Sequence, residues 1–330
     1  MTALRELYTM TTDWSTTVQK YIGMTLTMDK IKRSVTVSMP GFIKKALLRF
    51  GIVNPPHVTS PWQHVPHTYG AHTQPATAED ISAPISSERK TRIQEIVGVL
   101  LYYARVVDYM LLPAVNKVAS QQANPTENVE AAAYRLLHYA AAFPNVSITF
   151  YASDMKLIMH SDASYLCETK ARSRSGGIYF MGNTDDPSIV NGLIGCSSSI
   201  IGTTVASAAE AEYAALFLNA STAEGIRNTL ADLGYPQGAT IIFCDNKCAT
   251  GIANKSMKQK RSKAMDMRFH WVRDRVEQAH FEIIWKAGTS NLADYFTKAH
   301  PGKHVQAMRK FFVNTAPLEQ IRPCARTNRI

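Results

Sequence analysis

An alternation of apolar and polar side chains between residues 19 and 39 is the first regular pattern along the chain. Val35 and Val37 alternate with hydroxyl-bearing residues, which is typical of a strand with one buried face. With the preceding residues, this pattern predicts two strands around a turn at residues 29–32. An apolar stripe over residues 42–50 predicts a helix after the hairpin. The hairpin and the helix are too small to form a domain alone.

Proline content changes sharply between residues 53 and 87. This stretch holds six of the fifteen prolines and four of the ten histidines, which predicts an extended linker and excludes a long helix. The spacing of those histidines matches no zinc pattern, and no cysteine joins them, so no zinc site is expected there. Helices are predicted next over residues 87–107, 111–122 and 126–143, the last with Thr126 as its N-cap.

A third pattern begins near residue 146, where apolar strands precede alternating helices and strands. The segments SITFYASD, KLIMHSDASY, GGIYFMG and SIVNGLIGCSSS predict strands, and a helix over 207–233 is expected to break near 221–224. TIIFCDN and HFEIIWKAG predict later strands, separated by a helix over 263–278 and followed by a short helix in NLADYFTK. Three meandering strands and then alternating units predict a mixed α/β sheet with helices on its faces. The basic tail is expected to fray.

Composition narrows the class of protein. The chain has 330 residues, of which 45% are hydrophobic and 19% charged, so it can build a sizeable core and more than one domain. Its net charge of +10 favours an anionic partner, with nucleic acid ahead of a membrane surface. Five scattered cysteines argue against a disulfide scaffold and for a reducing compartment. The longest apolar stretch, residues 96–107, is too short to span a bilayer, and we expect an intracellular protein without a membrane partner.

Four acidic residues lie where solvated surface charge is unusual. Asp162 and Asp245 end apolar strands, Glu212 lies on a helix of small and apolar residues, and Asp294 lies in the last predicted helix. In a mixed sheet, the first and fourth strands can be neighbours and bring Asp162 to Asp245. Carboxylates at such distances stay ionised only around a cation, and an all-oxygen set suits Mg²⁺ or Mn²⁺ and argues against zinc. Taken singly, each acid is equally well explained as a helix cap or a strand-end charge.

Several sequence segments resemble a known family. SDASY, ASAAEAEYAAL, CDN, KQKRSKAMDMRFHWVRDRV and NLADYFTK resemble the ribonuclease H domain of copia-type retrotransposon Pol polyproteins. Upstream, YIGMTLTMD, VTVSMPGFIKKAL and IVGVLLYYARVVD resemble the end of the reverse transcriptase and its connection region in the same polyproteins. The resemblance implies a ribonuclease H-like five-stranded mixed sheet with flanking helices.

The resemblance also implies an activity and its residues. It implies cleavage of the RNA strand of RNA–DNA hybrids with two Mg²⁺ ions, for which Mn²⁺ can substitute, held by Asp162, Glu212, Asp245 and Asp294. Glu212 is preferred to Glu210 because the segment Glu-Tyr-Ala-Ala matches the family pattern. Glu210 lies about 200° away around the helix axis. The family's histidine before the last aspartate is missing from KAGTSNLAD, and His270 is the nearest candidate, with a solvated helix face as the alternative.

Substrate contacts are predicted from charge and polarity near these acids. Residues 255–275 hold eight Lys or Arg against two Asp, and Lys260, Arg261 and Lys263 are the predicted phosphate contacts. Ser164, Asn246 and Lys247 adjoin two of the acids and could approach a hybrid closely, although ordinary caps and turns explain them as well.

The domain organisation follows from the resemblance. We predict a reverse-transcriptase remnant over 1–52, a Pro/His-rich linker over 53–87, a helical connection over 88–145, a ribonuclease H domain over 146–300 and a basic tail over 301–330. No segment resembles a polymerase active site, so DNA synthesis by this chain is not expected, and the rest of a reverse transcriptase is a candidate partner. The cytoplasm, a virus-like particle or the nucleus is the expected location. Two alternatives stay open: an idle relic that binds nucleic acid, and an integrase-type nuclease on the same sheet.

Overall fold

The N-terminal strands form a meander that is one strand longer than the sequence pattern predicts. The computed structural model describes residues 17–65, 78–183, 191–257 and 267–313. Its first elements are β1 (Val18–Tyr21), β2 (Met24–Asp29), β3 (Ser34–Ser38) and helix α1 (Phe42–Arg49). The extra turn falls at Ile22 and Gly23, which both have positive φ. The predicted single strand is therefore divided where glycine permits a tight reversal.

Strand β4 (Ser147–Tyr151) pairs with this N-terminal meander. It lies antiparallel to β3 and completes a four-stranded sheet in the order β1-β2-β3-β4. The hydroxyls of Thr36 and Thr149 lie 3.0 Å apart across that pair. The strand that opens the segment from residue 146 is therefore not part of the second sheet, because its hydrogen-bonding partner lies more than a hundred residues earlier.

Three helices join the two sheets, as predicted. They are α2 (Ser87–Val106), α3 (Leu112–Ala119) and α4 (Glu127–Ala142). The Thr126 hydroxyl accepts from the Val129 backbone N–H at 3.4 Å, so the predicted N-cap of α4 is confirmed. The described parts of the proline-rich linker, residues 53–65 and 78–86, contain no helix and lie against these helices. One such contact is made by Arg135, whose guanidinium donates to the backbone oxygen and the hydroxyl of Ser60.

The second sheet has five strands and mixed polarity, which confirms the predicted fold class. Its strands are β5 (Lys156–Ser164), β6 (Arg174–Gly182), β7 (Leu193–Ile200), β8 (Thr240–Cys244) and β9 (Phe281–Trp285). The spatial order is β7-β6-β5-β8-β9. β5, β6 and β7 are antiparallel, whereas β8 runs parallel to both β5 and β9. The first and fourth of these strands are therefore neighbours, as the sequence analysis expects.

Three further helices accompany the five-stranded sheet: α5 (Ala208–Asp232), α6 (Lys247–Ala253) and α7 (Met267–Glu277). Helix α5 is continuous, so the predicted break near residues 221–224 is wrong. The hydroxyls of Ser221 and Thr222 donate to backbone oxygens four residues earlier, at 2.8 and 3.2 Å. These bonds accommodate polar side chains inside the helix without interrupting it.

Both faces of the five-stranded sheet are covered. On one face, Met159 of β5 and Ile242 of β8 pack with Leu216 of α5. On the other, Phe180 of β6 packs in one continuous core with residues of α2 and α4, among them Leu100. The N-terminal helices thus form part of the layer beneath the sheet. Within the described ranges, no helix is long and apolar enough to cross a membrane.

The chain after residue 301 is helical, which corrects the prediction of a frayed tail for the part that the structure describes. Helix α8 (Gly302–Phe312) buries Val305, Phe311 and Phe312. The rings of Phe312 and Phe296 meet edge to face, with their centroids 5.2 Å apart. The excess of basic residues misled the sequence analysis, because it masked three apolar positions on one side of a helix. Residues 314–330 lie outside the described residues.

We expect Phe312→Ala to lower the free energy of unfolding by about 3–5 kcal/mol, because the ring is fully buried in the shared core. Urea titration of the purified chain measures this loss. Lys303→Ala is the matched control, since Lys303 is exposed on the same helix and should change stability by less than about 0.5 kcal/mol. Equal effects of the two substitutions would contradict the packing role assigned to α8.

Candidate active site

Strand β5 carries the first acidic residue into the interior of the protein. Asp162 lies opposite Gly176 of β6, and its side chain is only 3% exposed. The Thr297 hydroxyl donates to Asp162 Oδ2 at 2.8 Å, and the Asn291 amide lies 3.4 Å from Oδ1. Both partners flank the 3-10 helix Leu292–Phe296, so the chain that follows the last strand fixes the orientation of this carboxylate.

The start of helix α5 separates the roles of its two glutamates. Ser207 is the N-cap and accepts from the Glu210 backbone N–H at 3.2 Å, while Glu210 Oε2 accepts from the Ala206 N–H at 2.8 Å. Glu210 therefore serves the helix terminus, in a variant of the capping box. Glu212 is 6% exposed and lies beside Asp162. The structure thus places Glu212, and not Glu210, among the acids.

An asparagine that the sequence analysis did not identify anchors α5 against the sheet. Asn219 lies two turns after Glu212 and is buried. Its amide nitrogen donates to Ser161 Oγ and to the Gly176 backbone oxygen, both at 2.9 Å. Its amide oxygen accepts from the hydroxyls of Tyr179 and Ser197. These bonds fix the rotation of α5 and therefore the direction of Glu212.

Asp245 follows β8 directly and is half-buried. The indole Nε1 of Trp285 donates to its backbone oxygen at 2.9 Å, which ties the end of β8 to the end of β9. A side chain at Gly288 would place its Cβ 2.8 Å from Asp245 Oδ2, so only glycine leaves this carboxylate its present position. The loop after β9 therefore forms a close wall around Asp245.

Three of the four predicted acids come together. Asp162, Glu212 and Asp245 each offer one carboxylate oxygen, and these oxygens lie within 4.8 Å of one another. We call this group the carboxylate cluster. Asp294 borders it, and its own carboxylate pairs with Lys298 at 2.5 Å and lies 3.7 Å from the ring nitrogen Nε2 of His300.

Burial and mutual repulsion disfavour ionisation in the carboxylate cluster. Burial, together with the charges of Asp294 and Asp245, raises the pKa of Asp162 to about 8. Burial and the charge of Asp162 raise the pKa of Glu212 well above its ordinary value, and burial followed by the charge of Asp294 raises the pKa of Asp245. Glu212 Oε2 is buried without a hydrogen-bond partner among the described residues. This unpaired oxygen and the all-oxygen donor set fit a divalent cation such as Mg²⁺.

The predicted substrate-binding residues that the structure describes differ in their contacts and exposure. Ser164 Oγ donates to the Thr297 backbone oxygen at 2.8 Å, and Asn246 is the N-cap of α6, accepting from the Ala249 N–H at 3.0 Å. The Lys247 ammonium lies 4.6 Å from the centre of the Trp285 ring. His270 is exposed on α7. Lys260, Arg261 and Lys263 lie outside the described residues.

Two histidines that the sequence analysis did not consider lie next to Asp294. His300 is buried and His304 is exposed, and each offers a ring nitrogen near the Asp294 carboxylate. The resemblance implies a histidine before the last aspartate, whereas this chain has two after it. The His-x-x-x-His spacing was the available signal, although His300 lies in the connection before α8 and only His304 lies in its first turn.

Comparison with known proteins identifies the relatives of this chain. No family model matches it. It is 25% identical over 284 residues to the retrovirus-related Pol polyprotein from transposon TNT 1-94 of Nicotiana tabacum, covering 86% of this chain and 20% of that protein. It is 27% identical over 243 residues to the Pol polyprotein from transposon RE2 of Arabidopsis thaliana, covering 69% of this chain and 16% of that protein. The Ty1-H Gag-Pol polyprotein of Saccharomyces cerevisiae matches at 23% identity, covering 66% of this chain and 12% of that protein.

The homologues of this chain are therefore retrotransposon Pol polyproteins, and the predicted resemblance to a copia-type Pol fragment is confirmed. The chain spans a fifth or less of the length of these relatives. Among solved structures, ribonuclease H1 from Halobacterium salinarum aligns with 43% of this chain and 94% of its own, at 16% identity and a TM-score of 0.29. The foamy viral protease-reverse transcriptase in complex with RNA/DNA hybrid aligns with 62% of this chain and 27% of its own, at 12% identity and a TM-score of 0.36.

Proposed function

We propose that this chain is a metal-dependent endonuclease that cleaves the RNA strand of RNA–DNA hybrids, as the ribonuclease H part of a copia-type Pol polyprotein. The observation that carries the proposal is the carboxylate cluster. Two buried acids and one half-buried acid, carried by β5, by α5 and by the residue directly after β8, bring their oxygens within 4.8 Å of one another. Such a concentration of buried like charge is costly unless a cation offsets it.

Asp162, Glu212 and Asp245 would hold the ions, with Asp294 at the border of the site. Two Mg²⁺ ions, or Mn²⁺ in their place, supply charge stabilisation for the attacking and leaving oxygens of a phosphodiester and lower the pKa of water. The chain's own contribution is orientation. Thr297 fixes one Asp162 oxygen, Asn219 fixes the rotation of α5, and the wall at Gly288 confines Asp245.

Substrate binding is proposed to rest on charge outside the carboxylate cluster. The net charge of +10 attracts a polyanion, and Lys247 beside Asp245 is the nearest described cation among the predicted contacts. The proposed domains keep the predicted boundaries, and strand β4, the first strand of the 146–300 unit, pairs with the N-terminal sheet. The proposed partner is the rest of a reverse transcriptase, and the proposed location is intracellular, in the cytoplasm, the nucleus or a virus-like particle.

The decisive experiment is cleavage of an end-labelled RNA–DNA hybrid by the purified chain with Mg²⁺, beside DNA duplex, RNA duplex and EDTA controls. We expect cuts in the RNA strand of the hybrid alone, leaving 3′-hydroxyl and 5′-phosphate ends, and none with EDTA. Binding of hybrid without cleavage in Mg²⁺ or Mn²⁺ would support the idle relic. Cleavage of the DNA duplex would support an integrase-type nuclease.

We expect the stability of the metal-free protein to fall as pH rises. The pKa of Asp162 is raised from 3.8 to about 8, so the folded state holds its proton more tightly than the unfolded chain. The contribution of this carboxyl group to the free energy of unfolding is fully present below about pH 4 and is lost as the pH rises to about 8. Urea unfolding in EDTA across this range, compared with Asp162→Asn, isolates the contribution. Parallel pH profiles of the two proteins would contradict the raised pKa.

Mg²⁺ should reverse this loss, because a ligand that binds only the folded state stabilises it. At about 100-fold excess over the dissociation constant, the gain is about 2.7 kcal/mol. Urea unfolding near pH 8 with and without Mg²⁺ measures it, and Asp162→Asn is the control in which the gain should largely disappear. An equal gain in both proteins would place the ion elsewhere.

A further inference from the structure

A second group of ligating side chains lies beside the carboxylate cluster. One Asp294 oxygen and one ring nitrogen each from His300 and His304 lie within 4.8 Å of one another. His300 Nε2 is 3.7 Å from Asp294 Oδ2 and 3.2 Å from the Asp294 backbone oxygen. The three residues come from the 3-10 helix Leu292–Phe296, the connection after it and the first turn of α8.

The surroundings hold the buried histidine in place. The His300 ring stacks on Tyr295 with a centroid separation of 5.4 Å and an interplanar angle of 7°. The His304 ring also stacks on the His300 ring, with a centroid separation of 4.5 Å and an interplanar angle of 25°. His300 is therefore buried in contact with two rings, whereas His304 is exposed to solvent.

The donor chemistry of this group differs from that of the carboxylate cluster. Mg²⁺ prefers oxygen ligands, whereas two imidazole nitrogens and one carboxylate oxygen suit Zn²⁺ and similar transition-metal ions. Tetrahedral Zn²⁺ bonds imply ligand separations of roughly 3.3–3.5 Å. Rotation of the exposed His304 side chain can bring its ring nitrogen from the present separation to this shorter one. Three protein ligands would leave the fourth position to water, as in open zinc sites.

We propose that Asp294, His300 and His304 bind a single Zn²⁺-class ion. This site prefers a different metal from the carboxylate cluster. Binding there takes the Asp294 carboxylate away from Lys298, with which it otherwise pairs. Asp294 borders the carboxylate cluster, so an ion on it also withdraws this residue from Mg²⁺. A Zn²⁺-class ion at this site therefore inhibits hybrid cleavage. This inhibition rests on the proposed function, whereas the existence of the metal site does not depend on it.

Direct metal binding to the full chain tests the site without any activity measurement. Co²⁺ is the probe, because a four-coordinate nitrogen-containing site gives it intense visible absorption. We expect one Co²⁺ per chain in the presence of excess Mg²⁺, and its displacement by Zn²⁺. His304→Ala should weaken Co²⁺ binding by about 100-fold or more, and it should not disturb folding because the side chain is exposed. Asp294→Asn should weaken it as well.

His280→Ala is the matched control, because His280 pairs with Glu224 away from this group and its loss should leave Co²⁺ binding unchanged. Binding of equal strength in the parent and His304→Ala, or displacement of Co²⁺ by Mg²⁺, would overturn the proposal. Zn²⁺ should also inhibit Mg²⁺-supported hybrid cleavage in the parent and about tenfold less in His304→Ala. If the chain cleaves no hybrid, the Co²⁺ result still decides the metal site, so failure of one proposal is distinguishable from failure of the other.

Discussion

Asp162→Asn is expected to lower the single-turnover rate of hybrid cleavage by at least about 10²–10³-fold, the loss that follows removal of one preorganised electrostatic group. Asp162 is the central member of the carboxylate cluster, since its charge affects the ionisation of Glu212 and is itself affected by Asp245 and Asp294. Asparagine keeps an oxygen at nearly the same place but carries no charge. A divalent cation then loses its most buried anionic ligand.

The same substitution should not unfold the protein. The Thr297 hydroxyl can donate to an amide oxygen as it does to Asp162 Oδ2. Loss of a buried charge also relieves repulsion in the metal-free state, so stability near pH 8 in EDTA should equal or exceed that of the parent. Cleavage is measured with enzyme in excess of hybrid, and folding by circular dichroism and urea titration. Parent-like cleavage by a folded Asp162→Asn protein would refute the site assignment.

Strand order made much of the candidate site predictable. Three meandering strands followed by alternating units allow the first and fourth strands to lie side by side, which predicts that Asp162 and Asp245 lie close together. The choice of Glu212 over Glu210 followed from the resemblance of Glu-Tyr-Ala-Ala to the family pattern, and helix geometry added that residues two positions apart cannot face the same way. The structure agrees in both placements and gives Glu210 a role at the helix terminus.

The supporting residues could not be predicted, because their partners are distant along the chain. Asn219 bonds to Ser161 and Gly176, and Thr297 reaches Asp162 across 135 residues. A single sequence carries no periodic signal for such side-chain pairs. The sheet to which strand β4 belongs could not be predicted for the same reason, since local alternation predicts a strand but not its partner. Helix α8 was missed because net charge was weighed above the spacing of its apolar residues.

Glu212→Gln is expected to reduce hybrid cleavage by about 10²-fold or more, whereas Glu210→Gln should change it less than about threefold. The two residues differ by two positions on α5, and each substitution removes one charge and keeps the size of the side chain. Glu212 is buried beside Asp162 with one unpaired oxygen, which is the donor that a cation in the carboxylate cluster would use. Glu210 accepts from the Ala206 backbone N–H at the helix terminus, and glutamine can accept the same bond.

Single-turnover cleavage of the parent and both variants, with circular dichroism of each, measures the contrast. Stability separates a catalytic loss from a structural one: Glu212→Gln should retain or gain stability in EDTA near pH 8, because it removes a buried group whose pKa is raised well above its ordinary value. Mg²⁺ should then stabilise this variant less than it stabilises Glu210→Gln. Equal cleavage losses in the two folded variants, or a larger loss at Glu210, would mean that α5 presents a different face to β5 in the active protein. Such a rotation of α5 would have to break the hydrogen bonds of Asn219, since they set the rotation of the helix.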